Sequence, residues 1–317
     1  MGDYADIKIG RQILTWGTGD LVFLNDMFPK DWQSFFIGRD SEYLKAPSDA
    51  VRLGIFTDFI NVDMVYTPKF DPDNFVTGEY LSHWDSFKNK IVGDSYNKST
   101  DCPDKWFEDD EFAIRLYKNI NNNEYALYGY NGFWKTPAGN IGYIDYFPKL
   151  RVIGFSARGQ VGKGIANLEY AYYKSLEDKT GVNPLIKNSL SKYLIGYSMD
   201  LWQDFNASLQ YYVEQIDDYS NYKNTFIGNT PLEQRRDIIT LQLTELLMNQ
   251  NLEVLLPIYY SPTDKDSYLR PSINYKYSDN MVMEVGANIF SGENQSTFFA
   301  QFENNTNVYF AIHYSLL

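Results

Sequence analysis

Nucleophilic catalysis needs a base beside its nucleophile, and this chain holds two histidines, His83 in a polar stretch and His313 two residues before Ser315. A hydrolase working at a lipid boundary would need a Ser-His pair with an orienting polar group. By strand phase His313 points toward an interior rather than a lipid boundary, so enzyme activity is not expected. The run Gly159-Gln160-Val161-Gly162-Lys163-Gly164 has the glycines and lysine of a phosphate loop but neither its spacing nor the Ser/Thr after the lysine, and reads as a hairpin turn. Glu108-Asp109-Asp110-Glu111 offers oxygen ligands for a divalent cation. A solvated charge run is the simpler reading, and no metal or cofactor is expected. Cys102, the single cysteine, allows neither an internal disulfide nor a Cys-rich metal site.

The residues better placed to act are charged groups set at alternate positions along strands. From Val51 onward the apolar period is two. Ala166, Leu168, Tyr170 and Tyr172 alternate with Asn167 and Glu169, and Phe205, Ala207, Leu209, Tyr211 and Val213 alternate with Asn206, Ser208, Gln210 and Glu214. The last strand sets Val308, Phe310, Ile312, Tyr314 and Leu316 against Tyr309, Ala311, His313 and Ser315. Fifteen such segments of roughly nine to eleven residues can be traced, the length that crosses a bilayer on a tilt. Soluble sandwich strands average about five or six. The second face is polar throughout, which a dry core does not tolerate. The expected fold is therefore all-β: an antiparallel transmembrane β-barrel of about 16 strands, with one domain over residues 1–317.

Composition agrees. The chain has 27 Tyr and 21 Phe against 6 Trp, and Tyr collects where a barrel wall passes from lipid to water. No apolar run is long enough for a spanning helix. A net charge of −13 argues against nucleic acid and against a basic surface for anionic lipid. Phase places Arg52, Asp63, Arg115, Glu169, Asp200, Glu214, Glu253, Arg270, Lys276 and Glu284 on the inner wall, with Lys8 and Glu303 beside them. The irregular stretch Thr18 to Ala50 carries Asp26, Lys30, Asp31, Arg39, Asp40 and Lys45 among many aromatics. It is too apolar for a linker, and either constricts the lumen or packs beneath one rim.

Two stretches carry a resemblance. Ile9-Gly10-Arg11-Gln12-Ile13-Leu14-Thr15-Trp16-Gly17 resembles the Gly-Arg-Gln…Trp-Gly signature of porin-like and alginate-export-like outer-membrane barrels of Gram-negative bacteria. Asn25-Asp26-Met27-Phe28-Pro29-Lys30-Asp31 is similar to the segment that follows it there. The closing Tyr314-Ser315-Leu316 resembles the C-terminal signal of such barrels. The resemblance implies a signal peptide and further strands ahead of the opening motif, hence a chain short at its N-terminus and 18 strands in a full-length barrel. The start Met1-Gly2-Asp3-Tyr4-Ala5-Asp6 has no basic or apolar leader region.

The function expected is a porin-like channel in the bacterial outer membrane, passing small hydrophilic solutes by diffusion. The acid excess on the wall implies weak cation preference, and net repulsion of a sugar polyanion. Partners would be outer-membrane lipid, lipopolysaccharide and small polar solutes, with a homo-oligomer left open. The alternative is a non-transport β-protein, either a plugged barrel serving as a scaffold or a soluble carbohydrate-binding domain. Two points resist the first reading. The strand count is odd, and it would place the longer connections on the same side as the C-terminus, whereas that side of a bacterial barrel carries short turns.

Overall fold

In a computed structural model, which describes residues 4–39, 41–94, 98–227 and 231–315, nearly all regular structure is one antiparallel sheet. Its strands are β1 (Ala5–Ile13), β2 (Pro47–Ile55), β3 (Asn61–Thr67), β4 (Glu111–Ile120), β5 (Asn123–Phe133), β6 (Lys149–Val161), β7 (Gly164–Ser175) and β8 (Leu190–Trp202). They continue as β9 (Phe205–Ile216), β10 (Arg235–Leu247), β11 (Leu252–Ser261), β12 (Asp266–Leu269), β13 (Ser272–Ser278), β14 (Met281–Gly292) and β15 (Asn307–Tyr314). Each pairs with its neighbour in sequence, except that β12 and β13 both lie between β11 and β14. They are one wall strand interrupted at Arg270-Pro271, where proline has no N–H to give the ladder. The sheet of 15 strands thus fills 14 wall positions, an even number.

Burial along the strands is inverted relative to a soluble protein. Leu209 is 53 % exposed although Ser208 and Gln210 on either side are 7 % and 2 % exposed. Leu168, at 45 %, likewise stands between Asn167 and Glu169, at 9 % and 1 %. The exposed face continues through Ile153, Ile195, Ile239, Ile273, Val285, Val308, Phe310 and Ile312. The polar phase is the inner one, and the apolar phase faces outward.

Curvature follows from what the connection between β1 and β2 touches. Its Leu14, Trp16, Leu24, Met27 and Phe28 pack with Ala50, Val65, Ala113, Ala126, Leu150, Ala171, Leu194, Tyr212 and Ile238, which are inward residues of β2 through β10. Its Phe35, Phe36 and Leu44 pack with Tyr259, Tyr268 and Phe290 of β11, β12 and β14. Laid flat, 14 strand positions would be on the order of 60 Å wide. One short segment reaches all of them because the sheet curls around it as a barrel wall. The small inner residues Ala50, Ala113, Ala126 and Ala171 leave it room. One seam remains: β1 pairs with β2 and β15 with β14, and among the described residues β1 and β15 are not paired with each other.

The two ends of the wall differ. Turns 56–60, 121–122, 162–163, 203–204, 248–251 and 279–280 lie at one end, where β1 starts and β15 finishes. Connections 14–46, 68–110, 134–148, 176–189, 217–234 and 293–306 lie at the other, together with the single short turn 262–265. This corrects the sidedness expected from the sequence, since the long connections stand opposite the C-terminal end of β15. The false conflict came from an odd count. Phe298 to Glu303 reads as strand but forms a 3-10 helix, Ala300–Asn305, because Phe299 and Phe302, spaced by three, both enter the aromatic cluster. Tyr222 to Ile227, where a missed strand would have repaired parity, falls largely in the helix α2 (Tyr219–Thr225). The connection 68–110 is not merely solvated, since Phe70, Leu81, Val92 and Asp85 are buried in it and two short strands, His83–Asp85 and Lys90–Val92, pair there. Gly162-Lys163 is the two-residue turn between β6 and β7, as its glycines suggest. No helix among the described residues is long and apolar enough to cross a membrane.

Candidate functional site

The lumen is organised by the segment 14–46, and one wall carboxylate holds its start. Glu169 on β7 accepts from Thr18 N–H, Thr18 Oγ1 (2.8 Å), Gly19 N–H (2.8 Å) and Asn25 Nδ2 (2.7 Å). Farther round the wall, Ser208 donates to Asp20 and Gln210 accepts from Leu21 N–H, while Tyr173, on the same strand as Glu169, donates to the Leu24 carbonyl. Asn25 enters because Gly154 of β6 has no side chain, and a Cβ there would overlap its amide. From the rim, Asp73 accepts from Lys30 N–H (2.8 Å) and Trp32 Nε1 (2.8 Å). Burial pushes the Asp73 carboxyl above the usual carboxylate range despite these donors.

The short helix α1 (Trp32–Phe36) is started by Asp31, whose Oδ1 accepts from Ser34 N–H at 2.7 Å. It ends against β14 and β15 at Gly38, which has φ +90. A Cβ there would stand 2.5 Å from Asn288 Nδ2 and 2.7 Å from Tyr309 Cε1, so both the left-handed backbone and the close approach require glycine. The chain then runs back through Lys45, whose bridge with Lys30 ties the two arms of the segment together.

Most of the charged residues singled out in the sequence have an ion-pair or hydrogen-bond partner rather than facing open water alone. Asp26 and Lys30 form a 3.1 Å ion pair inside the segment, with side chains 1 % and 4 % exposed. Arg52 binds Asp63 through two 2.8 Å hydrogen bonds, and Arg115 meets Glu124 at 2.6 Å. Lys192 lies 3.4 Å from Glu214, which also accepts from Tyr212. Glu253 accepts from Asn274 and Asp200 from Asn206, while Lys276 pairs with Asp279 at the rim. Arg270 packs on the Phe35 ring and donates to the Arg39 carbonyl. Lys8 is exposed on the edge strand, and Glu303 is exposed in the 3-10 helix rather than on a wall strand. Asp40 lies outside the described residues, as do Leu316 and Leu317 beyond the closing strand.

A recess of about 510 Å³ lies between the tip of the segment and the last two strands. Ile37, Gly38, Arg39 and Tyr43 form one side, and Glu284, Tyr309, Ala311 and His313 form the other. Arg39 is exposed, with its guanidinium 5.9 Å from the Tyr43 ring and 3.4 Å from Ser34 Oγ. Glu284 accepts from Tyr309 OH (2.8 Å) and lies 3.2 Å from His313 Nε2. Tyr43, Tyr309 and His313 were not among the site residues expected from sequence. Their inward phase was visible for the two strand residues, but that the segment's tip would arrive opposite them was not.

No protein-family model and no curated protein matches the chain. Among solved structures it is similar to the anion-selective porin from Comamonas acidovorans, at 14 % identity and a TM-score of 0.44, over 85 % of this chain and 74 % of that one.

The remaining histidine, His83, sits in the short hairpin of the 68–110 connection, where burial pushes its imidazole below its ordinary value. No group of three or more metal-ligating side chains occurs among the described residues. Glu111, from the acidic run, accepts from Tyr130 and binds Lys135 at 2.6 Å.

Proposed function

We propose that this chain is the wall of a porin-like channel in a bacterial outer membrane, through which small hydrophilic solutes diffuse passively. The single observation that carries the reading is the inverted burial: an apolar face turned outward over strands long enough to cross a bilayer, while the polar side chains of the same strands are buried inside with the packed segment. A soluble carbohydrate-binding domain would have to leave that band of Ile, Leu, Val and Phe in water. In a membrane the band meets lipid and, in the outer leaflet, lipopolysaccharide. Sidedness supports the same reading, because short turns on the C-terminal side and long connections opposite are the arrangement of outer-membrane barrels.

Solutes would pass by the recess beside the inward segment. Weak cation preference was expected from the excess of acids on the wall. With Asp26, Asp63 and Glu214 carrying cationic partners and Glu169 occupied by the segment, that count loses force. Preference is better assigned to Arg39, Glu284 and His313. A plugged scaffold is the second reading, favoured by the hydrogen bonds and aromatic packing that fasten the segment to the wall.

Single-channel recording in a planar bilayer separates them. Discrete, ohmic conductance steps are expected. Protein that inserts, is folded and stays silent would instead make the segment a plug.

A further inference from the structure

The recess holds a side chain that neither catalysis nor structure absorbs. Glu284 is nearly buried, its side chain 8 % exposed, while the His313 side chain in front of it is 47 % exposed. The carboxylate is therefore screened by its own partners: Tyr309 donates to one oxygen and the His313 ring meets the other. A passing solute meets the imidazole rather than the acid. The second ring nitrogen of His313 has no hydrogen-bond partner among the described residues, and His313 lines the recess.

We propose that His313 sets the charge preference of the recess, its protonation turning the passage toward anions. The inference rests on the channel reading above. Among the described residues, the charged and titratable groups around the imidazole are Arg39 and Tyr43 on the segment, Glu284 on β14, Tyr309 on its own strand, and Arg270, which touches the tip of the segment through the Arg39 carbonyl. Lys276 and Asp279 cancel each other at the rim. With a neutral ring, two guanidinium groups face one carboxylate. With imidazolium the positive excess of these groups doubles, and rings of charge along a passage set its ion preference. Imidazole is the side chain whose charge changes between about pH 5 and pH 8, so no other group here offers the same switch over that range.

The test is the reversal potential of the channel in a potassium chloride gradient, read at about pH 8 and again at about pH 5. In the wild-type protein the chloride-to-potassium permeability ratio should rise about two-fold or more on acidification. His313→Asn, which keeps a polar side chain of related shape, should flatten that response, and His313→Lys should hold the acid-side ratio at both values. Their melting in detergent shows that each variant is folded. A wild-type channel whose selectivity ignores pH, or a His313→Asn channel that responds as the wild type does, overturns the assignment and leaves the channel standing. Folded, inserted and silent protein overturns both.

Discussion

At the scale of single residues, Glu169 has the most to lose. It is 1 % exposed and satisfies two backbone N–H groups, a hydroxyl and an amide of the inward segment at once. Glu169→Ala leaves those donors buried without an acceptor, at a cost of about 3 kcal/mol or more. Glu169→Gln retains an oxygen and should cost about half of that. Thermal unfolding in detergent reads both losses, and an alanine variant as stable as the wild type would remove the anchor. That Glu169 faces inward was legible from Leu168 and Tyr170 on either side of it. Its partners were not, because Thr18, Gly19 and Asn25 lie about a hundred and fifty positions away in sequence, and strand phase fixes a face but not what stands before it.

Among elements, the segment 14–46 decides how much lumen is left. Its sequence showed aromatics without a period, and such a stretch must pack on something. Trp16, Phe28, Phe35 and Phe36 do so against two separate walls. Replacing 19–46 by a short glycine-serine linker removes that packing while leaving β1 and β2 paired in register. Conductance should rise at least about two-fold, and an unchanged step size would mean that the segment does not lie in the conducting path. The strands themselves were readable wherever one face was apolar and the other polar. They were misread where a different period took over, as in Phe299 and Phe302. In β5 the faces could not be assigned from sequence because both are aromatic. The structure turns Tyr128 and Tyr130 inward, and leaves Tyr125 and Leu127 on the outer face.

For the whole molecule, the end carrying the long connections should face the cell exterior. Cys102 lies within connection 68–110 at that end, exposed and unpaired. A membrane-impermeant maleimide added to intact cells should label it without lysis, and labelling that requires lysis would invert the topology or remove the protein from the outer membrane. Local burial pushes the Cys102 thiol up. Less of it is thiolate at neutral pH than in an ordinary exposed cysteine, so labelling should start slowly and accelerate as pH rises. The fold class was readable from strand length and alternation, and sidedness was not. One 3-10 helix, counted as a strand, was enough to turn the barrel upside down.

The wall is a meander in which each hairpin closes on its nearest neighbour, whereas the fastenings of the inward segment span 151 residues at Glu169, 189 at Gln210 and 233 at Tyr268. Loop closure over such distances is slow compared with the zippering of adjacent hairpins. The order of assembly is thereby written into the connectivity: the cylinder has to exist before its filling can be gripped. Until then the Trp16 and Phe36 rings have no surface to settle on. The connectivity therefore predicts a hollow stage in assembly, with neighbouring hairpins paired before the inward segment is gripped.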